Sequence, residues 1–328
     1  MTAQPQHVDL QINGYAGVDF NQDNLAATDL HRACELLRED GLAGVLATII
    51  TDELPRMMAR LARIAAICRE DELVREVVWG IHVEGPFINE TPGYVGAHPP
   101  QAVRPADVDT AKRLLEAADG LTRLVTLAPE RDPGQQVIRY LVGENVLVSA
   151  GHCDASLDEL LAAIDAGLSL FTHLGNGCPA LLPRHDNIIQ RVLGLRERLM
   201  ICFIADGVHI PLLQLGNYLR LAGIERSIAV TDAISAARLG PGRYALGGRQ
   251  IQIGEDLIAH LPNSPLLMGS TVTMPRMVAV LREKLRLSND EVQQLVSDNP
   301  RRVLNQVADL PADHAAATSV SSRGCASR

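Results

Sequence analysis

The sequence predicts a (β/α)8 barrel, and three observations lead there. Eight short β-branched runs alternate with amphipathic stretches along most of the 328 residues. Each run is separated from the next by a helix-length segment, which calls for parallel strands joined by right-handed crossovers. Polar residues collect at the C-terminal ends of the runs, where the loops of a barrel converge and its chemistry sits.

The strands are expected at 7–13, 44–50, 77–84, 122–128, 146–151, 169–173, 200–205 and 227–231. Helices are expected near 27–39, 55–71, 105–118, 133–143, 156–166, 187–197, 211–222 and 271–286, the seventh opening on Pro211, a residue suited to a first helical turn. A small hairpin insertion over 243–258 follows strand eight. Residues 1–307 form the catalytic barrel in this reading. Residues 308–328, rich in Ala and Ser without apolar periodicity, form a disordered tail.

Composition removes several function classes. Thirty Lys+Arg stand against 39 Asp+Glu, a net charge of −9, with 3% aromatics. That balance supplies neither a basic patch nor stacking platforms, so no nucleic-acid partner is expected. No apolar run reaches the ~18 residues of a membrane span, and the N-terminus lacks the basic-then-apolar pattern of a signal peptide. Six scattered cysteines without a Cys-x-x-Cys pair read as reduced thiols, which places the protein in the cytoplasm.

Taken in order, the strand ends carry the chemistry. Strand one ends with Gln11 and Asn13 on one face, strand three with His82 and Glu84. Strands five, six, seven and eight end in His152, His173, Asp206-Gly-Val-His209 and Asp232. A buried cluster of imidazoles and carboxylates is costly unless a cation pairs the charges. Glu84, His152 and His173 would give one carboxylate and two imidazoles to a zinc-like divalent ion with an open position for water. Coordination would lower the pKa of that water and polarise a carbonyl. Asp232 would take the water's proton and return it to a leaving nitrogen.

The ordered set of motifs resembles the metal-dependent amidohydrolases and, within them, the N-acetylglucosamine-6-phosphate deacetylases. It comprises Asp9-Leu-Gln-Ile-Asn-Gly-Tyr-Ala-Gly-Val-Asp-Phe, Gly80-Ile-His-Val-Glu-Gly-Pro-Phe and Gly96-Ala-His98-Pro-Pro. Ser149-Ala-Gly-His, Thr172-His-Leu-Gly-Asn176, Ile204-Ala-Asp-Gly-Val-His209, Val230-Thr-Asp-Ala and Gly269-Ser-Thr-Val-Thr-Met follow. The resemblance implies Glu84, His152 and His173 as metal ligands, Asp232 as acid/base and His98 as the residue that polarises the acetyl carbonyl. Asn176 and Gly177 would contact the sugar phosphate, Arg184 would bind phosphate through its planar fork, and His209 would touch sugar or phosphate. Gln11-x-Asn13 stands where many amidohydrolases carry His-x-His, so one divalent ion per chain, zinc or iron, is implied. His82 is expected to support the site rather than to ligate.

The chain also departs from the family. The flanking β-sandwich segments are missing, which would leave barrel surface exposed or recruit it into a homodimer. Leu174-Gly-Asn-Gly-Cys-Pro179 replaces Leu-Tyr-Asn-Ala-Met-Pro, and the lost aromatic and the added glycines would widen or loosen the sugar pocket. Asp186, two residues past Arg184, would compete with a substrate phosphate for the guanidinium. The expected reaction is therefore hydrolysis of the acetamide of N-acetylglucosamine 6-phosphate to glucosamine 6-phosphate and acetate. The alternatives are the same chemistry on another N-acyl sugar or N-acyl amine, and a sugar-phosphate-binding protein without catalysis.

Overall fold

The computed structural model describes residues 6–262 and 266–307, so the expected tail at 308–328 lies outside the described residues. Eight parallel strands form one sheet in sequence order: β1 (His7–Ile12), β2 (Leu42–Ile50), β3 (Val78–Glu84), β4 (Thr122–Leu127), β5 (Leu147–Ala150), β6 (Leu170–Phe171), β7 (Met200–Ile204) and β8 (Ser227–Val230). The crossover helices are α1 (Ala27–Glu39), α2 (Leu54–Glu70), α3 (Glu72–Val77), α4 (Val108–Ala117), α5 (Gln136–Gly143), α6 (Leu157–Asp165), α7 (Ile188–Gly194) and α8 (Leu212–Ala222). The predicted elements are therefore present, with ends shifted by a few residues. Ser156 and Glu159 form a reciprocal cap at α6, which fixes where the chain turns back after β5.

The barrel closes where β8 meets β1. The Asp232 N–H donates to Gln11 O at 3.0 Å, and the Asn13 N–H to Ala233 O at 2.7 Å. Deeper in the seam a side chain replaces the ladder. The Asp9 carboxylate accepts from the Gln11 and Thr231 N–H groups, both at 3.2 Å, and from the Thr231 hydroxyl. Leu10, Leu46, Leu124, Leu147, Leu170 and Val230 fill the interior as a packed core.

Two features were not read from the sequence as they stand. After α9 (Met274–Ala279) and a π turn at Val280–Lys284, the chain forms α10 (Asn289–Gln293), a second π turn at Gln294–Asp298, and α11 (Asn299–Leu304). Val303 and Leu304 belong to the interior cluster, and Asn299 Nδ2 donates to Ile224 O (2.8 Å) and Ser227 O (2.7 Å). This segment thus closes the N-terminal end of the barrel. The insertion is a three-stranded sheet rather than a plain hairpin: β9 (Gly242–Leu246), β10 (Arg249–Ile253) and β11 (Ala259–His260). Its turn is Gly247-Gly248, with φ of 57° and 82°, a conformation that suits glycine.

Burial raises the Asp9 carboxyl from 3.8 to about 7. The folded chain therefore holds that proton more tightly than the unfolded one. The contribution to stability is full below about pH 4 and is lost as pH rises through about 7. Asp9→Asn mimics the protonated form. Thermal melts should show wild type losing stability relative to Asp9→Asn between about pH 4 and 7, and parallel curves would refute this.

Candidate active site

Each chemical residue sits where a strand gives way to its loop. Glu84 is the last residue of β3, while His152, His173 and Asp232 each lie two residues beyond β5, β6 and β8. Those three have φ of 50°, 34° and 50°, the left-handed region that L side chains avoid. Such strain persists only when the surroundings over-determine it. Here the His152 carbonyl accepts from Asn89 N–H at 2.9 Å, that of His173 from Asn176 N–H at 3.0 Å, and that of Asp232 from Ser270 N–H at 2.9 Å.

Four buried groups crowd one point. Glu84 Oε1 lies 3.2 Å from His152 Nε2 and 3.0 Å from His173 Nε2. His152 Nε2 is 3.2 Å from His173 Nε2 and 3.3 Å from His98 Nε2. His152 Nδ1–H donates to the Tyr94 carbonyl oxygen at 2.8 Å, because a carbonyl can only accept. The ring therefore turns Nε2 toward the carboxylate and the other two rings. Atoms with lone pairs at such distances repel unless a cation lies between them, and a carbonyl behind the ring is the usual support of a metal-bound histidine. The residues thus fit a divalent cation. Ligand atoms of Glu84, His98 and His152 lie within 4.8 Å of one another, so His98 is as much part of the cluster as His173.

The electrostatics agree. Burial opposes charge on Glu84, but the imidazoles of His152 and His173 against it outweigh burial and hold the carboxyl well below its usual range. Burial likewise opposes charge on His173, yet the bond to Glu84 raises its pKa overall. Burial and the neighbouring His152 press His98 down to about 3, leaving it neutral. Burial and the Glu84 charge push Asp232 up to about 6.

Gln11 and Asn13 complete the floor. Gln11 Nε2 donates to Glu84 Oε1 at 3.1 Å, and Asn13 Nδ2 to Asp232 Oδ1 at 2.7 Å. The neutral amides that ligate poorly are donors to two of the carboxylates, a role not read from the sequence. His82 does not line the cavity; its Nε2 lies 2.7 Å from Thr126 Oγ1.

The cluster opens into a cavity of about 480 Å³ lined by Glu84, His98, His152, His173 and Asp232, with Asn176, Gly177 and His209 on one side. His209 Nδ1–H donates to Asp206 Oδ2 at 2.7 Å, and Asp206 Oδ1 accepts from the Val208 and His209 N–H groups. Asp206 is visible in the sequence as a strand-end residue, but its grip on His209 is not. Arg184 is exposed and does not line the cavity; among the described residues no Lys or Arg does. Two expectations need correction. Asp186, just before the N-terminus of α7, pairs with Arg191 Nε on that helix at 2.6 Å rather than with Arg184. Gly177 does not widen the pocket, since a Cβ there would lie 2.9 Å from His152 Nδ1 and the ring already fills that space.

Comparison against models of known protein families gives no match. The chain is 32% identical over 302 residues to N-acetylglucosamine-6-phosphate deacetylase of Bacillus subtilis (strain 168), covering 92% of this chain and 74% of that protein. It is 31% identical to N-acetylgalactosamine-6-phosphate deacetylase of Escherichia coli O157:H7, covering 92% and 77%. Among solved structures, a mutant N-acetyl-D-glucosamine-6-phosphate deacetylase of Mycobacterium smegmatis in complex with N-acetyl-D-glucosamine-6-phosphate superposes with a TM-score of 0.83 at 28% identity, covering 94% and 81%. The Thermotoga maritima N-acetylglucosamine-6-phosphate deacetylase gives 0.80 at 28%, covering 92% and 78%.

Two substitutions test the cluster. Glu84→Gln removes its carboxylate and should lower zinc affinity at least tenfold, read by competition with a chelating dye. Gly177→Ala should push the His152 ring and weaken zinc about tenfold while leaving thermal stability within about 1–2 kcal/mol. Wild-type affinity in both variants would mean that zinc binds elsewhere.

Proposed function

The chain belongs to the N-acetylglucosamine-6-phosphate deacetylase family, and from that premise we propose that it hydrolyses the acetamide of N-acetylglucosamine 6-phosphate to glucosamine 6-phosphate and acetate. It is an enzyme of the amidohydrolase superfamily, so the binding protein without catalysis is set aside. The observation that carries the reading is the convergence of Glu84, His152 and His173 on one point of a cavity that Asp232 also lines.

In this reading residues 1–307 are the catalytic barrel, and Glu84, His152 and His173 hold one divalent ion per chain, zinc or iron. When bound, that ion supplies an activated water and polarises the acyl carbonyl. His173 is favoured over His98 as third ligand because its Nε2 lies 3.0 Å from Glu84 Oε1, whereas the short contact of His98 Nε2 is to His152 at 3.3 Å. His98, neutral and next to the cluster, keeps one N–H for the acyl oxygen. Asp232 takes a proton from the attacking water and delivers it to the leaving nitrogen. A carboxyl raised to about 6 exchanges protons readily near neutrality, and the Asn13 bond leaves its second oxygen free to do so. Asn176, Gly177 and His209 receive the sugar, with Asp206 fixing the His209 ring, and Arg184 takes the phosphate. Among the described residues no helix is long and apolar enough to cross a membrane, and the five described cysteines are free thiols. Both agree with cytoplasmic residence. A homodimer belongs to the same proposal.

One observation favours a second reading. Among the described residues the cavity walls carry no Lys or Arg, and Arg184 lies outside them, which suits an N-acyl sugar or N-acyl amine without phosphate.

Acetate release from N-acetylglucosamine with and without the 6-phosphate separates the two. The first reading expects kcat/KM at least tenfold higher for the phosphorylated sugar, with Arg184→Ala losing only that advantage. Equal rates would select the second reading. Asp232→Asn should lower kcat by about 10²–10⁴ while the protein retains its metal. Near-normal turnover would exclude Asp232 as acid/base.

A further inference from the structure

We infer that the apolar corner formed by Ile50, Ala97 and Leu246 is the acyl pocket, and that it restricts the enzyme to short, uncharged acyl groups. This rests on the deacetylase reading above. All three residues line the catalytic cavity. Ile50 pairs in register with Glu84 across β2 and β3, so its side chain lies on the same face of the sheet, immediately beside the carboxylate of the cluster. Ala97 precedes His98 in the loop after β3. Leu246 ends β9, and the turn that follows rests on Ile50: a Cβ on Gly247 would lie 3.5 Å from Ile50 Cδ1.

The geometry of an amide fixes the direction. Its planar carbonyl carbon carries the acyl chain on one side and the nitrogen substituent on the other. Asn176, Gly177 and His209 follow β6 and β7. In an eight-stranded ring those strands stand opposite β2 and β3. A sugar held over β6 and β7, with its carbonyl at the cluster, therefore directs the acyl group to the Ile50–Leu246 corner.

That corner is built as a firm wall. The Gly247 N–H donates to Asp19 Oδ2 at 2.8 Å, Ser235 Oγ donates to Ala245 O at 2.7 Å, and Arg249 donates to Ala97 O. The inserted sheet is thus tied to the loops after strands one, three and eight. Leu246 and Ile50 are buried, in one cluster with Ile234, Ile251 and Met268. A wall held from three sides cannot yield to a longer chain without breaking those bonds, and its apolar surface offers no partner to a charged one.

The test is the series of formyl, acetyl, propionyl and butyryl amides of glucosamine 6-phosphate. Wild type should cleave the acetyl amide with kcat/KM at least tenfold above the butyryl amide. Leu246→Ala should raise the butyryl-to-acetyl ratio at least tenfold. Ile50→Val, a milder change to the core, should raise it in the same direction by a few-fold. Equal wild-type rates for acetyl and butyryl, or ratios unmoved in both variants, would overturn the assignment while leaving the deacetylase reading intact. Release from none of the four amides would instead remove the deacetylase reading. Calorimetric titration with acetate, propionate and butyrate then still reads the corner. Wild type should bind acetate best and Leu246→Ala should relax that order; an order unaltered by the substitution overturns the pocket.

Discussion

Three imidazoles and one carboxylate are pressed against a common point, and the protein around them exists in large part to hold them there. Their Nε2 atoms stand 3.2 and 3.3 Å apart in pairs, around a carboxylate oxygen 3.0 to 3.2 Å from two of them. Without a cation such an arrangement repels itself, so His152 and Glu84 are each held by a neighbour. The Tyr94 carbonyl fixes the tautomer of His152, and Gln11 fixes the Glu84 oxygen. Left-handed backbone at His152 and His173 turns both rings over the mouth of the barrel. A ring with glycine on either side has no slack. Added Cβ atoms on Gly96 and Gly177 would come within 3.0 and 2.9 Å of His152.

The seam between β8 and β1 shows how barrel closure and chemistry are joined. Asp232 is held through its own backbone by Gln11 O and by Ser270, while its carboxylate receives Asn13. Gln11 and Asn13 thus close the barrel with their main chains and orient two carboxylates with their side chains. Beneath them Asp9 spans the gap that a regular ladder would fill. A substitution at this seam should change stability and catalysis together, because the same few atoms serve both.

The strand ends were legible because each depends on one or two residues read against a period of two, and a barrel sends all such ends to one face. Glu84, His98, His152, His173 and Asp232 follow from that rule together with the resemblance. Contacts made across the fold were not legible. Nothing in the order Arg184-His185-Asp186 says that Asp186 will turn to Arg191, and a glycine such as Gly177 reads as empty space until the ring beside it is known. The segment at α10 and α11 was missed because polar residues crowd it, with apolar side chains only at positions such as Val292, Leu295 and Leu304. Its role depends on the open end of a barrel that the segment itself does not reveal.

The inserted sheet after β8 brings these strands together. A barrel supplies its chemistry from the ends of rigid strands, but the shape of what enters depends on the loops that rise above them. Here one insertion crosses from the loop after β8 to those after β1 and β3 and sets Leu246 beside Ile50, opposite the residues proposed to receive the sugar. The ligand cluster can therefore stay fixed while the wall changes. A substitution in the insertion alters the size of the acyl corner without touching Glu84, His152 or His173. Reaction type and the proposed acyl preference thus rest on different side chains, which meet where Ile50 pairs with Glu84 and where Ala97 precedes His98.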